Sequence, residues 1–108
     1  MDYTATAKYV RISTRKMRLV ADSVRKLTPG DALAQLSIMP KAAAEPLASV
    51  IASAISNAKQ KSADAATLHF KNIEVMGGPA MKRWHAVSRG NAHAYKKRMT
   101  HIRIVLTN

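Results

Sequence analysis

Two strand-like segments enclose a long basic stretch, and few compact folds can absorb that combination. The first is Leu68-His69-Phe70-Lys71-Asn72-Ile73-Glu74-Val75, and the second is Thr100-His101-Ile102-Arg103-Ile104-Val105-Leu106. Both are short, rich in apolar and β-branched residues, and broken by polar ones. The second alternates, with Ile102, Ile104 and Leu106 on one face and His101 and Arg103 on the other. The first changes parity between Phe70 and Ile73, which predicts a bulge or twist. Between them, Met76 to Met99 has no hydrophobic period that could build a core. It holds Gly77, Gly78 and Gly90, the basic residues Lys82, Arg83, Arg89, Lys96, Lys97 and Arg98, and no acid. A structureless loop of that length is foreign to compact domains. The pattern predicts a hairpin arm over about 76–99, on the order of 45 Å long at roughly 3.3 Å per residue. An isolated two-stranded arm is marginal in water, so this one is expected to order against a large anionic partner.

The chain has 108 residues, 18 basic and 6 acidic, for a formal net charge of +12. One domain with a modest core is expected. The charge is segregated. Residues 1–26 carry seven basic and two acidic groups, residues 27–74 four of each, and residues 75–108 seven basic and none acidic. Surfaces that serve only solubility intersperse the signs; two basic blocks around a neutral middle predict two parts of one anion-binding footprint. The absence of cysteine excludes a disulfide framework or a thiolate metal site. No run of 18 apolar residues offers a membrane span, and a cytoplasmic location is expected.

In chain order, Thr4 to Ile12 reads as a strand, with Tyr9 and Arg11 on one face and Val10 and Ile12 on the other. Ser13 or Thr14 then caps a helix. Met17, Val20, Ala21, Val24 and Leu27 form its buried stripe. Arg15, Arg18, Asp22 and Arg25 form a separate stripe, read as phosphate contacts in preference to a solvated face because only Asp22 balances the arginines. Thr28-Pro29-Gly30-Asp31 starts a short helix with Ala32, Leu33, Leu36 and Met39 inward, ended by Pro40. A longer helix is predicted over about Lys41–Lys61. Its apolar side is Ala43, Leu47, Val50, Ile51, Ala54, Ile55 and Ala58, and small residues (Ala42, Ala44, Ala48, Ser49, Ala52, Ser53) favour close packing. Pro46 means that this helix either begins near Glu45 or kinks. The expected fold class is α+β: a small antiparallel sheet of about three strands packed by three helices, with a long protruding β-hairpin arm.

Chemistry is sparse. His69, His85, His93 and His101 show no zinc-motif spacing. His85 and His93 are read as nucleic-acid or solvent contacts, not metal ligands. The six carboxylates make no acid/base pair, and no nucleophile elbow or P-loop is present. No catalytic residue, metal or cofactor is expected. Trp84, beside Lys82-Arg83, has two readings: packing on the arm's own stem, or stacking on an unpaired base. Tyr95, before Lys96-Lys97-Arg98, invites the same comparison.

Four blocks together resemble the bacterial ribosomal protein L-twenty-two family of the large subunit: Lys8-Tyr9-Val10-Arg11-Ile12-Ser13 with Arg15-Lys16-Met17-Arg18-Leu19-Val20-Ala21-Asp22; Ser53-Ala54-Ile55-Ser56-Asn57-Ala58; Gly78-Pro79-Ala80-Met81-Lys82-Arg83; and Lys97-Arg98-Met99-Thr100-His101-Ile102. They fall in the family's order and span nearly the whole chain. The resemblance implies that family's α+β fold, binding to large-subunit rRNA, an assembly role, and an arm that helps line the nascent-peptide exit tunnel. The arm tip is less basic than is usual there, reading Ala86-Val87-Ser88-Arg89-Gly90-Asn91-Ala92.

The expected RNA-binding set is Lys8, Arg11, Arg15, Lys16, Arg18, Arg25, Lys82, Arg83, Trp84, Arg89, Lys96, Lys97, Arg98, His101 and Arg103. By the resemblance, the tunnel-facing tip is Trp84, His85, Ala86, Val87, Ser88, Arg89, Gly90, Asn91, Ala92 and His93. Implied partners are large-subunit rRNA, neighbouring ribosomal proteins and, at the tip, nascent peptide; no membrane and no homo-oligomer are expected. The competing expectation is a free-standing DNA-binding or architectural protein using a basic β-arm.

Overall fold

The structure, a computed structural model, describes residues 2–86, 90 and 92–107; for Ala65, 81–86 and 92–96 it describes the backbone. Among these residues the order is β1 (Asp2–Val10), α1 (Thr14–Val24), α2 (Pro29–Ile38), α3 (Ala44–Gln60), a 3₁₀ turn (Ala65–Thr67), β2 (His69–Gly77), β3 (Met81–Ala86), β4 (Ala92–Lys97) and β5 (Thr100–Thr107). β1, β5 and β2 form an antiparallel sheet with β5 central, while β3 and β4 form a separate two-stranded ladder, the arm. The molecule is elongated, 62 × 24 × 17 Å along its principal axes.

The core follows from the alternation in β5. Ile102, Ile104 and Leu106 are fully buried beneath the helices, against Tyr3 and Ala5 of β1 and Ile73 and Val75 of β2. α3 covers β1 and β5, α1 covers β2, and α2 packs on α3. Met17, Val20, Ala21 and Val24 are the buried side of α1, as their spacing predicts, with Leu27 partly buried just past its end. Burying a side chain of this kind is worth about 1.5–3 kcal/mol, and these apolar layers are what hold the helices on the sheet.

The β2 ladder shifts register between Phe70 and Asn72, where the change of parity predicts it. β1 differs from expectation. It starts at Asp2 and ends at Val10, and its register shifts between Ala7 and Val10. Tyr9 at φ 61° takes the left-handed conformation there, which is rare for a bulky side chain. Arg11 and Ile12 therefore leave the sheet and form the connector to α1.

α3 begins at Ala44, three residues later than Lys41. Pro46 thus lies in its first turn, where a backbone N–H has no intrahelical partner to lose, and the helix needs no kink. Of the small residues expected at a packing surface, Ala44 is buried and Ala48 half-buried, but Ala42, Ser49, Ala52 and Ser53 are exposed. The apolar stripe Leu47–Val50–Ile51–Ala54–Ala58 already satisfies the sheet contact.

Candidate nucleic-acid interface

Basic residues from three distant parts of the chain meet where the arm joins the globular body. Ser13 is the N-cap of α1, its Oγ accepting from the Lys16 N–H at 3.4 Å. That cap turns the chain so that Arg11 precedes the helix while Arg15, Lys16 and Arg18 lie on its first two turns. A groove of about 560 Å³ here is lined by Arg11, Ile12, Ser13, Lys16, Leu19, Val20, Lys41, Ala42, Ala43, Lys97 and Arg98. Arg98 and Ser13 also border an adjoining hollow with Thr14, Arg15 and Arg18, and a third runs along α1 past Lys16 to Asp22. Asp22 is the only acid lining the three, and Arg25 holds it at 3.1 Å. The positive end of the α1 dipole faces the same region. Leu19, 61% exposed, adds an apolar surface to this cationic setting.

The arm's root is fixed to this surface by buried polar contacts. Thr100, fully buried, donates its hydroxyl to the Ile12 carbonyl, and Thr14 Oγ1 stands 3.4 Å from Thr100 Oγ1. Because the Thr100 proton is engaged, the Thr14 hydroxyl is the donor of that second contact. Gly78 N–H donates to the Met99 carbonyl at 3.0 Å, closing the stem. A Cβ on Gly78 would sit 3.2–3.3 Å from the His101 ring and the Met99 backbone, so any larger residue would need those neighbours to give by a few tenths of an ångström. His101 accepts from the Tyr9 N–H through Nδ1 at 3.1 Å and meets the Tyr9 ring edge-on. Accepting at Nδ1 places the neutral ring's hydrogen on Nε2.

The arginine stripe of α1 divides. Arg15 is exposed beside the groove. Arg18 Nη2 donates to the Val75 carbonyl at 3.2 Å, and Arg25 Nη1 to the Ile73 carbonyl at 3.1 Å. These carbonyls belong to the edge strand β2 and point away from β5. Asn57 Nδ2 does the same on the opposite edge, donating to the Thr4 carbonyl at 2.9 Å. Exposed strand edges invite unwanted pairing, and here helix side chains occupy acceptors on both.

The structure thus brings Arg11, Arg15, Lys16, Arg18, Lys97 and Arg98 together. Lys8 lies at the β1 bulge and Arg25 is the C-cap of α1. His101 is engaged with Tyr9. Arg103 stands on the helix-free face of the sheet, 3.3 Å from Glu74 Oε2. Lys82, Arg83, Trp84, His85 and Ala86 occupy β3, Ala92, His93 and Lys96 occupy β4, and Gly90 is at the turn with φ 73°. Val87, Ser88, Arg89 and Asn91 lie outside the described residues. By register Arg83 is opposite Tyr95, on the other face of the ladder from Lys82, Trp84 and Lys96. Sequence reasoning missed Lys41: it sits in an irregular connector within the charge-neutral middle, and no periodicity marks it.

The family model for ribosomal protein L22p/L17e matches residues 5–107. The chain is 44% identical over 107 residues to the large ribosomal subunit protein uL22 of Desulfotalea psychrophila, and 43% identical over 107 residues to that of Syntrophus aciditrophicus; each alignment covers 98% of this chain and 97% of the relative. The uL22 of Anaeromyxobacter sp. (strain K) is 40% identical over 104 residues, covering 94% of this chain and 71% of the relative. With the fold, the arm and the matched span in agreement, the chain belongs to the L22p/L17e family of ribosomal proteins.

Proposed function

We propose that this protein is a structural, non-enzymatic constituent of the large ribosomal subunit, held there by rRNA phosphates in the groove between α1 and the arm's root, with neighbouring ribosomal proteins as its other partners. Its place is the ribosome, and so the cytoplasm. The whole chain, 1–108, serves as one domain, and its arm extends beside the nascent-peptide exit tunnel with the tip toward passing peptide. The observation that carries this reading is the convergence of Arg11, Lys16, Lys41 and Arg98 on one groove from three separate parts of the chain. Core packing does not require such a cluster, whereas a polyanion does. A free-standing DNA-binding protein has no observation in its favour.

Lys41 tests the groove, because only its position in space places it there. Lys41→Glu should weaken binding to large-subunit rRNA and reduce co-sedimentation with large subunits after a high-salt wash. Lys59→Glu, at the other end of α3, should change neither much. Equal losses from both would mean that binding follows net charge and not this groove.

A further inference from the structure

The groove between α1 and the arm's root is only partly cationic. Ile12, Leu19, Val20, Ala42 and Ala43 line it too, and none of its lining residues is acidic. Val20 and Ala43 are buried and make its floor, with Ile12 half-buried beside them. Leu19 stands 61% exposed at the wall, outside the buried side of α1. Phosphate contacts alone have no use for such a wall. The groove is also set before any ligand arrives. Ile12 N–H donates to the Val10 carbonyl at 2.8 Å, and the Ile12 carbonyl accepts from the buried Thr100 hydroxyl. Across the groove, Lys41 N–H donates to the Met39 carbonyl at 2.9 Å, and the Lys41 carbonyl accepts from Ala44 N–H at 3.1 Å.

We propose that this groove takes one unpaired RNA nucleotide, its base or ribose against Leu19 and Ile12 and its phosphates on the cationic rim, in preference to the backbone of a continuous duplex. The proposal rests on the rRNA reading above and adds which form of RNA the groove selects. In a paired A-form helix the bases are stacked inside, and the surface presents phosphates and 2′-hydroxyls. An unpaired nucleotide turns a base face outward, where an apolar wall can cover it. The size fits. The groove's volume of about 560 Å³ lies within the range of pockets that enclose small organic ligands, roughly 300–1,000 Å³. Arg11 and Arg98 on the rim carry planar guanidinium groups, which stack on a base as well as pair with phosphate. Ser13 Oγ, accepting from the Lys16 N–H, can still donate its own proton to a phosphate oxygen. The nucleotide belongs to a strand and is not a free mononucleotide. The groove shares Ser13 and Arg98 with one adjoining hollow, and Lys16 and Leu19 with another, so a cationic path continues out of it. Walls fixed in advance keep the ordering cost of binding low.

The test compares two short RNA duplexes, one fully paired and one identical but for a single bulged uridine. Each is titrated with the full-length chain at several salt concentrations. The bulged duplex should bind about fivefold or more tighter, the low end of what a base contact contributes at single-strand sites. Its binding should shift the Leu19 and Ile12 methyl resonances, which the paired duplex should leave in place. Leu19→Asn alters no charge and lies on exposed surface. It should abolish the preference for the bulge while leaving the paired duplex's affinity and both salt slopes unchanged, because no phosphate contact is lost. Lys41→Glu should weaken both duplexes. Unchanged amide signals from Ile102 and Ile104 certify the fold of each variant. Equal affinity for the two duplexes, or a preference that survives Leu19→Asn, overturns the nucleotide pocket. If Lys41→Glu still weakens both duplexes in that case, the phosphate groove stands without it. If Lys41→Glu weakens neither, the groove reading falls as well.

Discussion

The backbone N–H of Tyr9 donates to Nδ1 of His101 at 3.1 Å, and the two rings meet at 90° with centroids 5.1 Å apart. This contact joins residues 92 positions apart and holds Tyr9 in a left-handed conformation, φ 61°. It also fills the space beside Gly78 at the arm's root. One side chain therefore sets both the β1 bulge and the spacing of the stem. His101→Ala should lower stability by about 1 kcal/mol, the scale of one hydrogen bond, with the aromatic contact discounted because Tyr9 is mostly exposed. The urea midpoint should fall at unchanged slope. No change in the midpoint would mean that water replaces the imidazole at no cost.

Arg18 and Arg25 serve the fold directly. Their bonds to the Val75 and Ile73 carbonyls tie α1 to β2. Arg25→Ala should therefore lower stability by about 1 kcal/mol, since bonds from charged donors exceed neutral ones but this site is partly exposed. Arg15→Ala should leave stability unchanged and flatten the salt dependence of rRNA binding by about 0.7–0.9 log units per log unit of salt, the contribution of one phosphate. A slope unchanged in the Arg15 variant would make that residue solvated surface.

At the root, Thr100 is fully buried and its hydroxyl satisfies the Ile12 carbonyl while receiving a bond from Thr14. Thr100→Val keeps the volume and strands both partners. The expected cost is about 1–3 kcal/mol, the range for leaving a buried polar group unsatisfied. Thermal denaturation of the purified variant checks it. A loss below about half a kcal/mol would mean that Thr14 takes over the Ile12 carbonyl.

Acid should probe the sheet's outer face. Lys71 Nζ lies 2.7 Å from Asp2 Oδ2, and this hydrogen bond, reinforced by Coulomb attraction, lowers the Asp2 pKa below 3.8. A carboxyl with a depressed folded-state pKa adds stability that is present above 3.8 and lost as pH falls through the lower folded value. Lys71→Met should remove that part of the acid sensitivity and leave the neutral-pH unfolding midpoint nearly unchanged, because the pair is exposed. Identical acid titrations of the two proteins would show that the pair contributes nothing.

Local patterns were readable where one face is buried and its period is unbroken. The stripe of α1, the alternation of β5 and the parity change in β2 all report a side chain's distance from one core. The β1 bulge was hidden because Lys8 and Tyr9 are both exposed, so no apolar parity registers the shift, and left-handed tyrosine has no sequence signal. Pro46 offered two readings because a first-turn proline and a kinking proline look alike until the helix start is known. The site was legible as charge but not as geometry. Arg18 and Arg25 share a helical stripe with Arg15, yet which of the three meets a β2 carbonyl depends on how α1 lies across the sheet. Lys41 likewise joins the site only through tertiary placement.

If the proposed function holds, the arm should separate anchoring from whatever its tip meets. Cations sit at the stem, Lys82 and Arg83 in β3 and Lys96, Lys97 and Arg98 at the end of β4. From Trp84 to His93 there is one formal positive charge, Arg89, among small residues around Gly90. A segment of low charge and bulk suits a constricted site better than a phosphate clamp. Shortening the arm tests the division. Because Arg83 is opposite Tyr95, the deletion that preserves register removes Trp84 to Ala94 and joins Arg83 to Tyr95 through Asn-Gly, which favours a two-residue hairpin turn. Binding to large-subunit rRNA and incorporation into subunits should stay nearly intact, since the groove and the stem cations remain. The response of ribosomes carrying the shortened arm to arrest peptides and tunnel-binding macrolides should change. Measuring occupancy in purified ribosomes alongside peptide-dependent stalling decides the matter. Lost occupancy would make the tip an rRNA anchor in its own right, and unchanged stalling at full occupancy would remove it from contact with the peptide.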